Sequence, residues 1–94
     1  MPIFTFPDDA SWNEETRAVE FGIEIGDYKG RVSVKRQVFQ TLLPDTPLPE
    51  RCLEAYHLDR ARFERAAEGK IVRRQLTEDG NVELTLKDLR DTSG

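Results

Sequence analysis

The chain has 94 residues, 37% of them hydrophobic and 34% charged, with 14 basic and 18 acidic side chains for a net charge of −4. That length fits one domain, and a chain of this size buries roughly 60–70% of its unfolded surface, enough for one core. The acidic balance argues against duplex DNA or an anionic membrane as default partner, because phosphate binding needs a positive field.

One cysteine, Cys52, leaves no intrachain disulfide and no multi-cysteine metal site. No apolar run reaches the ~18 residues of a membrane span. The opening "MPIFTFPDD" has no basic stretch of the kind that starts a signal peptide. The expectation is a cytoplasmic single domain over 1–94, with 90–94 a frayed tail.

In chain order, Ile3, Phe4 and Phe6 form a short β-prone run stopped by Pro7-Asp8-Asp9. Ser11 and Glu14 fit a capping pattern, which predicts one helical turn or a tight loop. "RAVEFGIEIG" alternates, with Val19, Phe21, Ile23 and Ile25 on one face and Glu20, Gly22 and Glu24 on the other. "GDYKG" is a turn, and "RVSVK" returns with Val32 and Val34 inward. The pair predicts a β-hairpin whose solvent face sets Glu20 and Glu24 near Arg31 and Lys35.

The period then changes. Val38, Phe39, Leu42 and Leu43 make a short helical stripe, ended by Pro44. Thr46 is an N-cap candidate and Pro47 suits a first helical position. From Leu48 to about Arg74 helix formers dominate, which predicts one long helix, loosened if anywhere at Gly69. "VELTL" alternates again as a last strand through Val82, Leu84 and Leu86, and a Thr85–Asp88 spacing starts a brief terminal turn. The predicted fold is α+β: a small antiparallel sheet of three to four strands, with one long and one short helix packed on one face.

At 100° per residue, Cys52, Tyr56, Phe63 and Ala67 share a narrow arc of the long helix, flanked by Leu53, Ala66 and Ile71; this is the face that meets the sheet. Glu50 to Arg74 holds seven bases and five acids, mixed around the helix. Glu50 and Glu54 lie near its start and Lys70, Arg73 and Arg74 near its end, an order that complements the helix dipole. A solvated face accounts for most of these charges. The candidate patch for an anionic partner is Lys70, Arg73 and Arg74. Leu58, Val72 and Leu76 fall opposite Phe63. On a straight helix they would form an exposed apolar line suited to a partner; a break near Gly69 would turn Val72 and Leu76 inward.

Catalytic chemistry finds little footing. His57 sits about 140° from Cys52 on the helix, so the helix alone forms no Cys–His dyad. Cys52 reads as a small buried hydrophobe. Asp8, Asp9, Glu14 and Glu15 read as a solvated acidic turn rather than a divalent site, and Trp12 as a core or lid residue. No catalytic, cofactor-binding or metal-ligating residue is assigned, and no phosphate-cradle motif is present.

The landmarks "IFTF", "SW", "RAVEF", "RVSV", "VFQTLL", "LEAYHLDRARFERAAEGKI" and "GNVELTL" run nearly the whole chain. In this order they resemble a family of short bacterial proteins of unknown function, domain of unknown function 1488. The resemblance implies a small α+β fold with a sheet packed on helices. It implies no activity and no functional residues, and the basic tail "GKIVRRQL" departs from it. The expected function is a non-catalytic protein-interaction module, in one form a homodimer, through Leu58, Val72 and Leu76. The alternative is a binder of nucleic acid or another acidic partner through Lys70, Arg73 and Arg74.

Overall fold

The computed structural model describes residues 3–91, the side chain of Asp91 excepted. Eight elements follow in order: β1 (Ser11–Asn13), β2 (Ala18–Ile25), β3 (Tyr28–Lys35), α1 (Arg36–Leu42), α2 (Pro49–Leu58), α3 (Arg60–Val72), β4 (Val82–Leu84) and α4 (Leu86–Asp91). The arrangement is α+β, with a four-stranded sheet in the order β1-β2-β3-β4.

The hairpin is in the register that alternation predicts. Val19 faces Val34 and Phe21 faces Val32 across β2 and β3. All four are buried, as are Ile23, Val82 and Leu84. A one-residue slip would move this whole set into water, so the register is strongly specified. Ile25 is only half-buried, opposite Tyr28, whose ring lies over Gly30. A Cβ on Gly30 would collide with the Tyr28 ring and its oxygen.

Three features differ from the sequence expectation. First, the sheet is mixed: β4 runs parallel to β3, with Val32 opposite Val82 and Val34 opposite Leu84. Three helices separate these strands, and parallel neighbours need a crossover at least a dozen residues long. Second, the long helix is two helices, parted at Asp59 (φ −125, ψ 33) rather than at Gly69. Gly69 stays helical inside α3, and the Arg73 guanidinium lies over it. Third, "SWN" is an edge strand against β2 rather than a helical turn. The Ile3–Phe6 run contributes one bridge, Thr5 with Glu24. Between that bridge and β1, Pro7 and left-handed Asp8 (φ 61) interrupt the edge, a device that discourages further strand addition. The tail assigned to 90–94 lies partly outside the described residues; Arg90 and Asp91 belong to α4.

The solvent-face charges also pair differently. Arg31 reaches across Gly22 to Asp9 (2.6 Å) and Lys35 to Glu83 (3.0 Å), whereas Glu20 accepts a hydrogen bond from Asn13 Nδ2. Gly22 makes the first of these possible. Its N–H donates to Asp9 Oδ1 at 2.8 Å, and a Cβ there would meet Pro7 at 2.8 Å.

Five rings join the layers in sequence. Phe6 lies 6.2 Å from Phe21, Phe21 4.8 Å from Tyr56, Tyr56 5.6 Å from Phe63, and Phe63 5.8 Å from Phe39. Phe63 therefore touches the rings of both α1 and α2. Burial pushes the Tyr56 phenol up to about 12 from an ordinary 10.0. The folded state binds that proton more tightly, so its contribution is complete below pH 10 and is lost as pH rises toward 12. Phe63→Ala is expected to cost about 3–5 kcal/mol, read as a lower urea midpoint with an unchanged slope.

Candidate functional site

The break at Asp59 decides how the predicted contact residues are presented. Leu58 ends α2 and is 78% exposed; Val72 ends α3 and is 67% exposed; Leu76 lies in the following loop and is 40% exposed. A thirteen-residue helix spans about 20 Å, so Leu58 stands roughly that far from Val72. They do not form one line, because the angular count carries no meaning through a break. Neither Val72 nor Leu76 turns into the core.

Leu58 instead stands beside a groove of about 230 Å³ lined by Leu42, Leu43, Arg51, Ala55, Asp59, Arg62 and Phe63. All three helices α1, α2 and α3 contribute to its lining. Bases and acids share its rim. Arg51 bridges Asp45 (3.2 Å) and Glu54 (2.7 Å); Arg62 reaches Asp59 (3.4 Å) and donates from Nε to the Leu89 carbonyl (3.1 Å). Sequence periodicity marks Leu42 and Leu58 separately. What it misses is their convergence, which depends on the angle between α1 and α2.

The basic trio is also altered by the fold. Lys70 is largely buried, with its ammonium 3.2 Å from Asp88. Asp88 further accepts from the Thr85 N–H (2.8 Å) and hydroxyl (2.9 Å), and the Asp88 N–H donates back to Thr85 Oγ1, a reciprocal cap on α4. Burial raises the Asp88 pKa, but the Thr85 and Lys70 hydrogen bonds outweigh it and leave the group below its ordinary 3.8. Arg74 closes α3 in the left-handed conformation (φ 57). Its N–H donates to the Ile71 carbonyl and the Gln75 N–H to the Lys70 carbonyl, a Schellman ending with arginine where glycine is usual. Arg73 donates to Gln75 Oε1. The three cations thus have structural work, and Lys70 is neutralised.

Cys52 is fully buried, its thiol 3.5 Å from the Pro47 carbonyl, and burial holds its pKa above the ordinary value, partly offset by Arg36. It is no thiolate nucleophile at neutral pH. His57 is exposed, edge-on to Tyr56. Asp8 and Asp9 are paired with Arg60 (2.8 Å) and Arg31, and Glu14 accepts from the Trp12 indole N–H (2.8 Å). Among the described residues no cluster of three or more His, Cys, Asp or Glu could hold a metal ion, and no helix is long and apolar enough to cross a membrane.

A family model described as "Protein of unknown function (DUF1488)" matches residues 4–84. The chain belongs to the DUF1488 family. A crystal structure of a protein of unknown function from that family, from Shewanella loihica PV-4, superposes with a TM-score of 0.74 at 16% identity. The match covers 86% of this chain and 90% of that one; at this identity it speaks for the DUF1488 fold alone. No curated protein matches the chain.

Two substitutions test these assignments. Asp88→Asn strands the Lys70 ammonium and is expected to cost about 1–3 kcal/mol at pH 7. Because the folded pKa is depressed, the wild-type advantage is present above pH 3.8 and shrinks as pH falls through the folded value, which urea unfolding at stepped pH would show. Arg74→Gly relieves the left-handed strain and is expected to leave stability equal or higher, by up to about 1 kcal/mol, in thermal unfolding.

Proposed function

We propose that the chain is a non-catalytic interaction module that forms a homodimer through the groove beside Leu58. One observation carries this reading: a large apolar side chain, 78% exposed at a fixed helix end, adjoins an apolar groove on the same surface. A two-fold interface needs a patch that complements itself. A projecting Leu58 and a groove lined by Leu42, Leu43, Ala55 and Phe63 supply knob and hole together. A rim carrying Arg51 and Arg62 with Asp59 holds both signs of charge, already paired within the chain, so it opposes a second copy with no net like charge. We propose a cytoplasmic location, with which a fold that needs no disulfide is compatible.

Size-exclusion chromatography with light scattering tests the dimer. Wild type is expected at twice the monomer mass by about 100 µM, and Leu58→Glu at monomer mass with an unchanged circular-dichroism spectrum. A wild-type chain that remains monomeric at about 1 mM overturns the reading.

A further inference from the structure

A second concavity lies at the other end of α1. Its walls are Thr16, Arg17, Lys35, Arg36, Gln37 and Gln40, and its volume is about 330 Å³, the low end for small-molecule pockets. Every lining side chain can donate a hydrogen bond, three are cations, and none is a carboxylate. In a chain of net charge −4 this is a local reversal of sign.

The backbone builds it deliberately. The β1–β2 turn ends on Arg17 in the left-handed conformation (φ 52), which glycine or asparagine adopts far more readily. The Arg17 carbonyl accepts from the Arg36 N–H at 2.9 Å, which ties the turn to the start of α1 and sets both arginines on one cleft. Arg36 donates from Nε to the Pro47 carbonyl (3.2 Å), which fixes its guanidinium plane. Lys35 sits at the rim, shared with Glu83. Among the described residues the Arg17 side chain has no ion-pair partner.

Arg17 and Arg36 also line an adjoining hollow of about 210 Å³, with Trp12, Glu14, Pro47, Leu48 and Pro49. Its indole is held by the bond to Glu14, and Leu48 is 60% exposed. Cations on one side and a fixed aromatic with prolines on the other suit a ligand that is anionic at one end and a flat ring at the other. We propose that the paired hollows bind a mononucleotide. Its phosphate is held by Arg17, Arg36 and Lys35 with Gln37 and Gln40, and its base lies on Trp12. Hollows of about 330 and 210 Å³ match the phosphate and base of one nucleotide rather than the successive backbone units of a polynucleotide.

Trp12 is the chain's single tryptophan, so its fluorescence reports this site. The experiment titrates AMP, adenosine and inorganic phosphate at low and high salt, with calorimetry alongside, on wild type and Arg17→Gly. AMP is expected to bind saturably in the micromolar range, more weakly at high salt, with phosphate competing and adenosine about tenfold weaker or worse. Arg17→Gly relieves backbone strain, so its Tm should be no lower than wild type by more than about 2 °C while AMP affinity falls about tenfold. No saturable signal by about 5 mM AMP overturns the proposal, as does affinity indifferent to Arg17→Gly, or tighter binding of a single-stranded oligonucleotide than of AMP. The Leu58→Glu variant is expected to bind AMP as wild type does, which separates this site from the dimer surface.

Discussion

The fold depends on the contact between Tyr56 and Phe21. At 4.8 Å between ring centres it is the tightest of the aromatic pairs among the described residues, and it joins the last turn of α2 to the middle of β2. Tyr56 also passes the contact on to Phe63, and Phe63 to Phe39, so one file of rings fixes all three crossover helices over the sheet. Aromatic rings bury large areas in few rotamers, which suits a chain with room for only one core. Cys52, Ala66 and Ala67 are buried beside these rings, and their small size lets α2 and α3 sit close to the strands.

The charged residues act as ties between segments distant in sequence. Arg60 pairs with Glu64 one turn on and with Asp8, 52 residues away, anchoring the N-terminal segment to the start of α3. Arg31 holds Asp9 across the sheet, where the Gly22 N–H first, then Arg31, lowers that carboxyl's pKa. Arg62 holds the last turn of α4 through the Leu89 carbonyl, and Lys70 holds its first turn through Asp88. Pairs this exposed contribute little energy singly; the Lys70–Asp88 pair, drier and reinforced by the Thr85 cap, is the exception. The basicity that suggests an anionic partner is largely spent within the molecule.

Strand alternation was legible because its period is short and its stakes are high: each of Val19, Phe21, Ile23, Val32 and Val34 lands on the buried face. Tyr56 and Phe63 were legible for the same reason at helical period. The helix break was not. Asp59 ends one helix and begins the next without a glycine, a proline or a side-chain cap bond, and its carbonyl simply accepts from Arg62 N–H. Seven residues return a helix to almost the same angle, so Tyr56 and Phe63 share a face whether or not a bend lies between them. The periodicity is blind to the bend, whereas Leu58 and Val72 are separated by it. The parallel direction of β4 was not legible, because a helical connection of that length permits either direction. The Thr85–Asp88 spacing did mark the start of α4.

Among the described residues, three other than glycine hold left-handed backbone: Asp8, Arg17 and Arg74. Such positions persist only where the surroundings over-determine them. Asp8 interrupts the sheet edge and pairs with Arg60, and aspartate tolerates this conformation. Arg74 satisfies the last carbonyls of α3, and its side chain is incidental to that task. Arg17 differs. Its backbone makes the bond to Arg36 that the turn requires, yet glycine or asparagine would make the same bond with less strain. The geometry therefore accounts for the conformation but not for the arginine. What the arginine adds is a guanidinium between a cationic cleft and a tryptophan, and a strained cation without an ion-pair partner among the described residues is best understood by what it is placed to hold.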